Sequence, residues 1–207
     1  MRKMSLRFRI NLAEGGGDRG HRASGDGAGV TGDRYNVTAV SLHWVMAALV
    51  LAQLALGGWM IGIPNDPPGL QAYWYNLHKS LGLTLGFLVL LRLGWRMRHP
   101  APLLPGALAR WQRRAARASH VLLYLCMLAM PLSGYLGSSF TKYPIKYFGL
   151  TLPKWGWEAP ALKELFSAIH YVTVWIFMAL IAVHAAAALK HLLVDRDGVF
   201  ERMWRSR

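Results

Sequence analysis

The chain has 207 residues, enough for one ordinary domain, with 54% hydrophobic residues, a formal charge of +14 and a mean hydropathy of +0.23. That is too apolar for a typical soluble domain, and the basic residues sit in blocks between long apolar runs, which points to a membrane protein rather than a nucleic-acid binder. A single cysteine, Cys126, excludes a disulfide framework within the chain.

Residues 1–33 are rich in Gly and Arg and show no apolar periodicity. The run "EGGGDRGHRASGDGAGVTGD" has too little to bury and is expected to be disordered. It lacks the apolar middle of a secretory signal. Residues 34–207 are expected to form one membrane domain.

Four apolar segments follow: about Val37–Ile63, Tyr75–Trp95, Ala118–Ser139 and Leu165–Leu193. Each is near the ~20 residues that a helix needs to cross a ~30 Å hydrocarbon layer. Lipid cannot satisfy backbone polar groups, so these segments should be helices, giving an all-α, integral membrane four-helix bundle. Pro131 lies inside the third and should kink it rather than end it, because apolar sequence continues on both sides. Of the 24 Lys and Arg, only Lys79, Lys142, Lys146, Lys154 and Lys163 fall at the end of the bundle opposite the termini. The excess of positive charge on the other side predicts that both termini are cytoplasmic. The connection 140–163, aromatic and net basic, then faces outward.

Histidines interrupt these apolar runs. His170 and His184 are fourteen residues apart, which is about 40° short of four helical turns and about 21 Å along the axis. They share one face of the fourth helix, one near each membrane surface. An imidazole in lipid is costly to leave unpaired, and neutral imidazole is a good iron ligand. Depth along antiparallel helices supplies a partner for each. His43 matches His184 on the inner side, and His78 matches His170 on the outer side. A single such histidine more commonly hydrogen-bonds a neighbouring helix. Four matched in depth favour ligation, and two bis-imidazole sites in a bundle suit two b-type haems. His120, at the inner edge of the third helix, competes for the inner pair; it is expected to meet headgroups, water or a haem rim. His99 and His191 are expected to be solvated at the interface, and His21 lies in the disordered tail.

Small and charged residues follow the same geometry. Gly57 lies fourteen residues after His43, with Gly58 beside it, and Gly82 and Gly86 follow His78 by one and two turns. All could leave room for a porphyrin, although small residues also serve helix packing. Arg92, fourteen residues after His78, either pairs with a propionate or snorkels to the surface. Phe177, midway between His170 and His184, is expected to fill the core between the sites. There is no cysteine pair for zinc and no glycine-rich phosphate loop. Iron held by two histidines has no open position and passes electrons.

The strings "RYNVTAVSLHW", "LHKSLG", "LLRLGWRMRHPAP", "SHVLLYLCMLAMPLSGYLGSS", "FGLTLP", "IHYVTVWIFMALIAVHAAAALKH" and "DRDGVFERM" resemble, in order and over about residues 34–204, the bacterial cytochrome b561 family. The resemblance implies a multi-pass inner-membrane protein with two b haems that exchanges electrons with quinone. It assigns His43 and His184 to the cytoplasmic haem and His78 and His170 to the periplasmic one. Some members of that family oxidise superoxide at the periplasmic face and reduce ubiquinone, while others resemble electron-transfer subunits for a separate redox partner protein. For the first activity Lys79, Lys142, Lys146 and Lys154 are candidates to steer a small anion. A haem-free structural or transport bundle is the alternative from another class.

Overall fold

The computed structural model describes residues 35–99 and 109–204; the expected disordered segment, 1–33, lies outside them. Four long helices dominate. The first, α1, runs over Val37–Met60 and starts where the Asn36 side chain accepts a hydrogen bond from Ala39 N at 2.8 Å. Helix α2 spans Leu70–Arg98. Its N-cap, Gly69, has φ of +95°, a left-handed conformation that glycine adopts without strain. Helix α3 covers Arg110–Ser139 and passes through Pro131 without ending. Helix α4 spans Pro160–Lys190, with proline in its first turn, and continues as a π-helical turn over His191–Asp195. All four are long and apolar enough to cross a membrane.

Helices α2, α3 and α4 begin before their apolar runs, and α1 ends at Met60, short of the expected Ile63. Helix α3 starts at Arg110, about two turns before the apolar sequence, so its basic first turns are helical too. Helix α2 starts at Leu70, which places His78 in its third turn rather than its first.

Helix α1 packs on α2, α2 on α3 and α3 on α4, whereas α1 and α4 make little backbone contact. The core is one cluster at mid-bundle: Met46 and Val50 of α1, Leu85 and Val89 of α2, Leu123 and Cys126 of α3, and Phe177 of α4. Large apolar side chains such as Leu51, Phe87, Leu122 and Val183 remain exposed. In water this would be untenable; in hydrocarbon it is the expected exterior.

The connection from α3 to α4 is not plain loop. Strands β1 (Ile145–Tyr147) and β2 (Leu150–Leu152) pair antiparallel, with Tyr147 opposite Leu150. Phe148 and Gly149 between them have φ of +46° and +93°, the double left-handed turn that matches strand twist. The hairpin is fastened to α2. Ser80, 2% exposed, accepts a hydrogen bond from Phe148 N at 2.9 Å, and Thr84 Oγ1 lies 3.2 Å from the Tyr147 hydroxyl. Ile145 is 1% exposed beneath it. At the opposite end a short helix, α5 (Glu201–Trp204), folds back on α1: Trp44 Nε1 donates to Met203 O at 2.7 Å.

Candidate functional site

The four histidines singled out by depth meet as two pairs. The ring centroids of His43 and His184 lie 6.3 Å apart, and those of His78 and His170 also lie 6.3 Å apart. In each pair one ring comes from α1 or α2 and the other from α4, so the pairs bridge the bundle where direct packing is thin. Two metal–nitrogen bonds of about 2 Å, with each centroid roughly 1.2 Å beyond its nitrogen, put rings on opposite sides of one metal about 6.4 Å apart. Both pairs meet that separation, and the mid-bundle core lies between them.

At the hairpin end the pair faces a cavity of about 740 Å³ lined by Gly57, Gly82, Lys79, Gly134 and Phe177 as well as both histidines. That volume is within the ~300–1,000 Å³ typical of small-molecule sites. His170 is held by α3: its Nδ1 is 3.0 Å from Ser133 Oγ and 3.1 Å from the Met130 carbonyl. Donation from Nδ1 leaves Nε2 as the free lone pair, the arrangement usual for a metal-ligating imidazole. Glycines admit the rings. A Cβ on Gly57 would stand 3.1 Å from His78 Cε1, and one on Gly134 would stand 3.5 Å from His170 Cε1.

At the termini end, Arg92 turns into the bundle. Its Nε donates to the Tyr124 hydroxyl at 3.0 Å, Nη1 to Ala39 O at 3.3 Å, and Nη2 approaches His43 Nδ1 at 3.4 Å. His120 also points inward, with its ring 5.4 Å from that of His184. It is thus a neighbour of the inner pair rather than a headgroup contact, at a centroid spacing shorter than the 6.3 Å of the two matched pairs. His99 is exposed and stacks on Trp95 at 4.1 Å, while His191 Nδ1 lies 2.7 Å from Asp197 Oδ2.

The other expected residues separate. Lys79 borders the cavity next to His78. Lys142 and Lys146 are exposed on the hairpin segment, and Lys154 donates to Thr141 O at 2.6 Å. Gly82 makes room for the Gln53 amide, Gly86 for the Pro131 ring, and Gly58 lines the cavity with nothing within 4 Å of a would-be Cβ. Phe177, 5% exposed, belongs to the core as expected. Sequence reasoning missed Ser133, Gly134, Tyr124 and Gln53. Gln53 left a usable signal, because an amide in an apolar membrane helix calls for a function. Ser133 left none, since serine is ordinary in such helices.

The family model for prokaryotic cytochrome b561 matches residues 34–206. The chain belongs to the prokaryotic cytochrome b561 family. Cytochrome b561 homolog 2 of Escherichia coli (strain K12) is 34% identical over 178 residues, covering 84% of this chain and 92% of that protein. Cytochrome b561 homolog 1 of the same organism is 28% identical over 176 residues, covering 83% and 97%. A Yersinia pestis protein named probable superoxide oxidase CybB is 25% identical over 178 residues, covering 82% and 95%. As a cytochrome b561 the chain is a multi-pass bacterial inner-membrane protein of electron transfer, and membership implies b-type haem. The paired imidazoles and the cavity between helices fit such a group.

Proposed function

We propose that this cytochrome b561 carries two b haems, one between His43 and His184 and one between His78 and His170, and moves electrons across the membrane between an outer donor and quinone. The equal 6.3 Å spacing of the two imidazole pairs carries the reading. Haem supplies reversible one-electron exchange at iron when bound. The protein's part is to fix the rings, exclude water with the hairpin and keep the two sites apart. His170 and His184 are about 21 Å apart along α4, with Phe177, Val89 and Val50 between them.

For the donor we propose superoxide, and for the acceptor ubiquinone. Two superoxide anions each lose one electron to become dioxygen; ubiquinone takes both electrons and two protons to become ubiquinol. Lys79 at the cavity and Lys142 and Lys146 on the hairpin segment support this choice, because they set positive charge on the side where the anion would arrive. Lys154, tied to Thr141 O, is a weaker candidate. The Yersinia relative's name points the same way.

A second reading is a membrane electron-transfer subunit for a redox partner protein. The exposed Tyr143, Trp155 and Trp157 on the same segment favour it as a docking surface. Stopped-flow mixing of oxidised protein with superoxide, with and without ubiquinone, separates the two. Superoxide oxidation requires haem reduction whose rate falls with ionic strength. Inertness to superoxide, with retention of a bound redox protein on purification, would establish the subunit instead. A reduced spectrum without Soret and α bands would end both.

A further inference from the structure

Around His78 the structure leaves two buried polar atoms without a protein partner among the described residues: its own Nδ1 and Oε1 of Gln53. They are chemically complementary. An imidazole that ligates through Nε2 carries a proton on Nδ1 and needs an acceptor. Gln53 has one to offer. Its Nε2 donates to the His78 carbonyl at 2.8 Å, and only the amide nitrogen can donate there, so Oε1 is the free acceptor end. The surroundings are shaped for this contact. Gln53 lies one helical turn before Gly57, whose missing Cβ admits the His78 ring. Gly82, one turn after His78, would place a Cβ 3.2 Å from Gln53 Nε2. Both glycines therefore serve the Gln53–His78 contact.

We propose that Gln53 is the positioning residue of His78: its amide holds the α2 backbone at His78 and its Oε1 accepts the Nδ1 proton through one bridging water. A site with two unmet, complementary polar atoms is the kind that a buried water satisfies. The role matches that of Ser133 and the Met130 carbonyl toward His170, so each imidazole facing the cavity has its own outer partner. Acceptance of the Nδ1 proton makes the ligating nitrogen more basic, which lowers the potential of the iron it holds. The inference rests on the assignment of His78 and His170 as haem ligands.

Redox titration of the purified holoprotein, resolved into its two haems by visible and EPR spectra, tests it. Gln53→Met keeps the volume and removes both contacts; it should raise the midpoint potential of the His78–His170 haem and leave the other unchanged. Gln53→Glu keeps an acceptor whether or not it is ionised, and should return that potential to the wild-type value or below it. Should Gln53→Met fail to fold, Gly82→Ala, which crowds the amide by a single methyl, should give a smaller rise at the same haem. Two unchanged potentials in the variant that folds, equal shifts of both haems, or a Gln53→Glu shift in the same direction as Gln53→Met would overturn the proposal. The underlying assignment fails separately: wild-type protein would then contain fewer than two haems, or His78→Ala would keep both.

Discussion

At the scale of single residues, ligation and packing make separable demands. His170→Ala removes one ring of the hairpin-end pair and leaves the other pair 6.3 Å apart. The expected outcome is loss of one of two haems, read by pyridine haemochrome and by one EPR signal; His184→Ala should remove the other. His120 sharpens this test, since its ring is also near His184. If His120→Ala removes a haem as fully as His43→Ala, the inner pair has been assigned to the wrong ring. Gly57 makes a subtler demand. Its would-be Cβ meets His78 at 3.1 Å, so Gly57→Val must displace that imidazole or open α1 from α2. Overpacking of this kind costs about 1–3 kcal/mol. Haem content at the hairpin end should fall while Gly94→Ala, which meets nothing within 4 Å and lies outside the cavity lining, leaves it unchanged.

At the scale of elements, the hairpin shows what sequence pattern could and could not deliver. The four helices were legible because lipid imposes a length and a polarity that leave few alternatives. The histidine pairing was legible because helical rise converts sequence position into depth. Helix ends were not, because charged turns such as Arg110–Arg117 continue the hydrogen-bond ladder past the hydrocarbon without any apolar signal. Nor was the hairpin: three-residue strands carry almost no periodicity, and its turn places Phe148, not glycine, at φ of +46°. What holds it is a long-range contact, Ser80 with Phe148 N, invisible to local reasoning. Ser80→Ala removes that acceptor and leaves the part-buried Phe148 N–H without its protein partner, a loss of about 1 kcal/mol. Hydrogen exchange in 145–152 should accelerate with little change in the helices. An unaltered exchange pattern would mean that Ile145, rather than Ser80, pins the hairpin.

At the scale of the whole molecule, the unsettled variable is which end meets which compartment, and charge addresses it. Lys and Arg near the ends of membrane helices set orientation because they are retained on the cytoplasmic side. Most of the 24 lie in the N-terminal segment, the last turns of α2, the first turns of α3 and the C-terminal part; the hairpin end holds only Lys79 of α2, Lys142, Lys146 and Lys154 between α3 and α4, and Lys163 in the first turn of α4. The termini should therefore be cytoplasmic and the hairpin periplasmic, which puts the His78–His170 pair and its cavity on the side where an extracellular oxidant or reductant arrives. The lysines there are few enough not to reverse the orientation, and Lys79 and Lys163 line the cavity itself, within reach of an anion that enters it. A fluorescent-protein fusion after Trp204 should fold and fluoresce, and alkaline phosphatase inserted near Tyr143 should be active. The reverse pattern would move the cavity to the cytoplasm and leave superoxide from outside with no route to it.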